Sequence, residues 1–162
     1  MAWLGVRAGA LNLLIPVGEV VEVVNPGPCT PVPLTLPCFR GLHNVRGTLY
    51  SVIDMPALLG FAPVPAGPEA RLLLLAPQRI RNTALLVNRL SGMQADDALV
   101  EAEGAASVPA GQLLRRAGMA LALGGSWLDA RQAEWRVLDV AVLVALPEFL
   151  DVAAMPAQGA HA

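Results

Sequence analysis

Between residues 11 and 24 (LNLLIPVGEVVEVV) β-branched residues are frequent, and Leu11, Leu13, Ile15 and Val17 alternate with their neighbours. A two-residue period is that of a half-buried strand, and Pro16 and Gly18 divide the run into two. Residues 25–38 carry five prolines, which cannot donate to a ladder, so this stretch reads as an extended connector. Residues 48–54 (TLYSVID) read as a strand, and 62–70, rich in proline and glycine, as a surface loop. Arg71–Ala76 (RLLLLA) is an unbroken apolar run of strand length, buried on both faces, with Thr83–Arg89 as its hairpin partner. Residues 93–106 are acidic and small and read as irregular; 108–118 reads as a turn or loop. Met119–Leu123, a Gly124-Gly125 turn, Ser126–Leu128 and Glu134–Leu138 give further short strands. The Ala-rich end, residues 156–162, reads as a frayed tail.

One pattern occurs twice. Ser51-Val52-Ile53-Asp54 runs into Met55-Pro56-Ala57-Leu58-Leu59-Gly60, and Arg136-Val137-Leu138-Asp139 runs into Val140-Ala141-Val142-Leu143-Val144. Each is a β run closed by an aspartate and followed by a short apolar helix. An aspartate there caps the helix by accepting from its first free N–H groups. Gly60 and Pro147 stop the two helices. Two such units suggest two similar halves, and many short strands with Gly/Pro turns suggest small closed barrels, which leave no edge exposed.

Composition narrows the function. The chain has 162 residues, one domain's worth, of which 55% are hydrophobic and 15% charged, which excludes disorder. All 11 basic residues are arginine, against 13 acidic ones, for a net charge of −2. Without lysine there is neither a P-loop nor a Schiff-base amine, and without a basic excess nucleic acid is a poor partner. The most apolar windows, 11–24 and 137–150, are interrupted by charge and proline, so no spanning helix is expected. No signal peptide is visible at the start, which makes a cytoplasmic protein the expectation. With so few charged residues, a contiguous apolar patch is expected near the 39–49 turn or the 17–24 strand edge, along with weak self-association.

Candidate catalytic and metal-binding chemistry is sparse. Cys29 and Cys38 read as small hydrophobes; with only His43 near them they lack the four ligands of a zinc site, so no metal is expected. His161 lies in the tail, and no G-x-S-x-G accompanies His43, which reads as a turn residue. Asp96, Asp97, Glu101 and Glu103 lack calcium-loop spacing and read as a solvated acidic loop. An enzyme or ligand-binding barrel using His43, Asp54 or the 96–103 loop stays as the alternative.

The stronger signal is FRGLHNVRGTLYSVIDMPALLG at 39–60. Gly41 and Gly47 bracket a short turn that ends in Arg46 and leads into a strand. Glycine there permits positive φ or close backbone approach, and the strand holds Arg46 at a fixed place. Its planar fork suits either a staple between loops or a bidentate grip on a partner.

This segment resembles the CheW-like coupling family of bacterial chemotaxis. The resemblance rests on Phe39, on Gly41-Leu42-His43-Asn44-Val45-Arg46-Gly47 and on Val52-Ile53-Asp54-Met55, with Ser51 where the family has proline. Val20-Val21-Glu22-Val23 is similar to its Val-x-Glu-Val, Pro31-Val32-Pro33 to its connector, and 85–94 to a further stretch in which Asn88 replaces an aspartate. The Asn44–Leu49 phrase, Ser91-Gly92-Met93-Gln94, and the ending from Trp127 through Ala153 resemble the branch serving type IV pilus (twitching) motility. The likeness covers residues 3–155, read as a single domain.

The resemblance implies a mainly β fold of two small five-stranded barrels around a shared apolar core, with a few short helices. It implies a non-enzymatic adaptor without cofactors, joining the cytoplasmic tip of a methyl-accepting chemoreceptor to a CheA-type histidine kinase. The partner-binding residues it implies are Val20, Glu22, Arg40, Gly41, Asn44, Val45, Arg46 and Gly47.

Overall fold

The computed structural model describes residues 1–31, 38–102, 122–147 and 149. The alternating run beginning at Leu11 forms β2 (Leu11–Pro16), breaks at a short 3-10 turn over Val17–Glu19, and resumes as β3 (Val20–Val24). Before it lies β1 (Ala2–Ala8), a strand that the sequence reading left unassigned. The chain continues with β4 (Phe39–Val45), β5 (Thr48–Asp54), α1 (Met55–Leu58), β6 (Arg71–Leu75), β7 (Thr83–Val87) and β8 (Arg89–Ala95). A 3-10 turn at Asp96–Ala98 leads to β9 (Val100–Glu101), followed by β10 (Leu123–Leu128), β11 (Glu134–Leu138) and α2 (Val140–Ala145).

The strands form two sheets, one of six in the order β8-β1-β2-β11-β10-β9 and one of five in the order β3-β6-β7-β5-β4. The fold is mainly β with two β subdomains, as expected. Two details differ: β9 makes a sixth strand, and the described ladders leave both sheets open. In each sheet the two edges are strands adjacent along the chain, so the chain itself spans the seam. In the five-stranded half a bridge continues the ladder there. Thr30 N donates to the Leu42 carbonyl (2.8 Å) and Leu42 N to that of Thr30 (2.9 Å).

The two halves have one plan. β5 lies parallel to β7 and leads into α1, while β11 lies parallel to β2 and leads into α2. Asp54 Oδ1 accepts from Ala57 N at 3.0 Å, and Asp139 Oδ1 from Val142 N at 3.1 Å, so both aspartates cap. Read along the chain, β1-β2-β3-β4-β5-α1 corresponds to β6-β7-β8-β10-β11-α2. Each repeat's leading hairpin sits in the other repeat's sheet.

That exchange explains the doubly apolar run at Arg71–Ala76. Leu73 and Leu75 enter the main core with Val6, Leu13, Ile53, Leu138 and Phe149, to which both sheets contribute. Leu72 and Leu74 face the other way, into a small cluster with Val52, Val64, Ala70, Ala84 and Leu86. The six-stranded half has its own small cluster of Leu14, Leu99 and Trp135, with Trp3, Trp127 and Val137 against it. Cys38 is buried in the main core, Cys29 is half-buried, and they form no disulfide.

Four local expectations need correction, the first being His43, which is no turn residue but lies within β4 opposite Tyr50. Gly124-Gly125 is no turn: it lies within β10 at a register shift between Leu123 and Ser126, where a bulge absorbs the extra residue. The acidic stretch from 93 is not wholly irregular, because β8 runs to Ala95 and β9 pairs with β10. Gly41 does not open a turn but sits inside β4, again at a bulge. Residues 32–37 of the connector, the 108–118 turn, Met119–Leu121, Glu103 and the chain from 150 onward lie outside the described residues.

Candidate partner-binding surface

Val45 pairs with Thr48, so the β4–β5 hairpin turns on Arg46 and Gly47 alone. Their φ values are +49° and +89°. Positive φ at both central positions matches the right-handed twist of flanking strands and marks a type I′ turn. Glycine takes the second place without cost, and Asn44 Oδ1 holds it by accepting from Gly47 N at 2.8 Å. Asn44 and Gly47 thus form the turn, and Arg46 is fixed at its tip in a conformation rare for a residue with a Cβ.

From that tip the guanidinium reaches Glu22 on β3. Arg46 Nη1 donates to Glu22 Oε1 at 3.1 Å, and Nη2 donates to Oε2. β3 and β4 are opposite edges of the five-stranded sheet, so this fork closes the seam that Thr30 and Leu42 close with backbone bonds. Glu22, by hydrogen bond and by charge, raises the Arg46 pKa further, so the guanidinium stays charged. Gly41 is buried in the same seam at φ +117°, and a Cβ there would stand 2.2 Å from the Thr30 carbonyl oxygen. Only glycine lets the connector approach β4 so closely. Of the two roles open to Arg46, the staple is formed.

The remaining residues sit apart from the tip. Val20 is half-buried against the main core, and Val45 packs on the small cluster of its own half. Arg40 projects elsewhere, with Nη1 3.5 Å from Asp54 Oδ2 and from the Val64 carbonyl. Exposed apolar residues occur in both stretches where a patch was expected: Val21 is 64% exposed and Val17 40% at the 17–24 edge, and Leu49 is 54% exposed beside the tip. A register shift between Val20 and Glu22 turns Val21 outward, which breaks the alternation that would have buried it.

The residues of the alternative reading do not converge. His43 Nδ1 lies 3.2 Å from the Pro28 carbonyl. Asp54 is fully buried and also accepts from Val64 N at 2.9 Å; burial raises its pKa, against the lowering effect of these bonds and of Arg40. Asp96 binds the terminal ammonium at 2.7 Å and the Trp3 indole, which lowers its pKa. Among the described residues no three His, Cys, Asp or Glu side chains are grouped to hold a metal ion.

The sequence profile described as CheW-like domain matches residues 2–118. A curated relative, Protein PilI of Pseudomonas aeruginosa, is 31% identical over 91 residues, covering 56% of this chain and 51% of that protein. The match thus spans about half the length of that relative. Among solved structures, the scaffolding protein TtCheW from Thermoanaerobacter tengcongensis aligns with a TM-score of 0.63 at 14% identity, covering 85% of this chain and 87% of that one. That likeness establishes the fold. With the profile matching well over half of the chain, the protein belongs to the CheW-like domain family.

Proposed function

We propose that this protein is a non-enzymatic adaptor that joins the cytoplasmic tip of a methyl-accepting chemoreceptor to a CheA-type histidine kinase, in a signalling system for type IV pilus motility. The observation that carries this reading is the family match over residues 2–118. The likeness to PilI favours the pilus branch, and the likeness to a scaffolding protein favours a bridging role over catalysis. No helix among the described residues is long and apolar enough to cross a membrane. We place the protein in the cytoplasm, beside the receptor tip.

The contact surface in this reading is the hairpin tip with its surroundings. Arg46 and Glu22 supply a paired charge, and Val21, Leu49 and Val17 supply apolar area beside it. A partner carboxylate competes for the Arg46 fork. Asn44 and Gly47 hold the tip in shape and Gly41 lets the connector close the seam behind it, while Val20, Val45 and Arg40 lie away from the tip. The same apolar strip favours weak self-association of the isolated protein.

Binding of the isolated receptor tip and of the kinase regulatory domain, each measured by calorimetry, tests the proposal. Wild-type protein should bind both. Arg46→Ala should keep the wild-type circular dichroism spectrum yet weaken at least one partner by about tenfold, a loss of the size expected when a charge-assisted fork is removed. Binding to neither partner would overturn the adaptor reading. Unchanged affinity for both in Arg46→Ala would remove the hairpin tip from the interface.

A further inference from the structure

The shared plan of the two halves lets their interiors be compared position by position. Counting back from the capping aspartates, Val52 corresponds to Val137 and Tyr50 to Trp135. Across the ladders, Ala84 lies opposite Val52 where Leu14 lies opposite Val137. His43 lies opposite Tyr50 where Trp127 lies opposite Trp135. At the corresponding place in the six-stranded half, beside Trp127, Leu14 and Val137, the larger residues leave a cavity of about 80 Å³; a separate, more open cleft of about 650 Å³ in that half lies among Asn12, Arg89, Asp129, Arg131 and Trp135. In the five-stranded half the smaller ones leave about 370 Å³. That volume falls within the range of about 300–1,000 Å³ typical of small-molecule sites.

The walls of the cavity in the five-stranded half include aliphatic Val52, Val64, Leu72 and Leu86, and its lining polar side chains include Arg40, His43 and Cys29. Arg40 is partly exposed and loosely held. Its Nη1 is 3.5 Å from both the Val64 carbonyl and Asp54, whose oxygens already accept from Ala57 N and Val64 N at 3.0 and 2.9 Å. A ligand carboxylate would form a charge-assisted bond of about 2.8 Å there. The Asp54 carboxylate beside it disfavours a second negative charge on the ligand. The other half has no counterpart to Arg40, because the corresponding bulge is formed by Gly124-Gly125.

We propose that the cavity of the five-stranded half is a binding site for a small monocarboxylate with an aliphatic body, the carboxylate on Arg40 and the body against Val52, Leu72 and Leu86. This site is independent of the adaptor reading, since it needs neither partner.

Hexanoate and its uncharged analogue hexanamide, titrated into the full chain by calorimetry, are the probes. Hexanoate should saturate with a dissociation constant near or below about 1 mM, and hexanamide should bind about tenfold more weakly. Arg40→Gln should reduce hexanoate to the level of hexanamide. His43→Trp, which installs the residue that the other half carries at this place, should abolish binding of both, and each variant should keep the wild-type circular dichroism spectrum. No saturable hexanoate binding up to about 10 mM, far above a millimolar constant, would overturn the proposal. So would equal affinity for the two probes, or undiminished binding by a folded Arg40→Gln or His43→Trp.

Discussion

In the five-stranded half, the strand ending at Asp54 leads into α1 beneath a buried cap; in the six-stranded half, the strand ending at Asp139 leads into α2 beneath an exposed one. Both aspartates begin a helix, and Asp54 in addition accepts from a loop, through Val64 N, with Arg40 3.5 Å away. The interiors diverge in the same way. Trp3, Trp127 and Trp135 gather in one, while Ala70, Ala84 and His43 leave the other hollow. A repeated frame therefore fixes where strands run and helices start. What sets the five-stranded half apart is the set of residues that break the correspondence: Arg40 and His43 in the cavity, Arg46 at the tip.

The two bulges give the widest separation. At Gly41 a substituent meets the Thr30 backbone and requires φ +117°, whereas at Gly124 the nearest atom is Val137 Cβ at 3.4 Å. Gly41→Ala should cost at least about 3 kcal/mol, since positive-φ strain alone reaches about that much before the clash is counted. Gly124→Ala should cost under about 1 kcal/mol, as typical of an exposed site without a special backbone. Urea denaturation of both variants measures the contrast, and equal costs would contradict the difference between the two bulges.

The caps come next. Asp54→Ala leaves two buried donors, Ala57 N and Val64 N, without an acceptor, at about 1–3 kcal/mol each, so a total of about 2–6 kcal/mol is expected. Asp139→Ala removes one exposed cap and should cost about 0.5–1 kcal/mol. A reversed order in thermal melting would contradict the assigned burial.

A smaller effect follows from the raised Asp54 pKa. The folded state holds this proton more tightly than the unfolded chain, so the contribution is fully present below about pH 4, the ordinary aspartate value. It is lost as pH rises through the raised folded value. Asp54→Asn removes that slope, so the stability difference, wild type minus variant, should fall as pH rises; a flat difference would contradict the burial cause.

The smallest effect concerns the seam fork. Arg46 is solvent-exposed, so Arg46→Ala should barely move the melting temperature, and added salt should shrink even that difference. Arg46→Lys should keep the charge but not the two-pronged grip on Glu22. A large loss of stability in either variant would make the fork a structural closure rather than an accessible contact.

Much of the frame is legible in the sequence because it follows local rules. The Pro16-Gly18 break, the doubly apolar Arg71–Leu75 strand and both aspartate caps are set by residues close in the chain. What escaped depended on distant partners. Gly41 and Gly124-Gly125 look like turn residues and become bulges only because β5 and β11 hold them in ladders. β9 is two residues long and exists through its pairing with β10, so no periodicity could show it. At the candidate surface Arg46 stood out through its bracketing glycines, and its partner Glu22 lay in a matching motif. Their contact across the seam is a tertiary fact, and so is the outward turn of Val21.

The bridging role is tested most directly by mixing the receptor tip and the kinase regulatory domain, with and without this protein, and following their sedimentation. The account predicts a complex containing all three components, and a receptor–kinase association far weaker in its absence. Association of receptor and kinase to the same extent without this protein, or a mixture in which it sediments alone, would contradict the account.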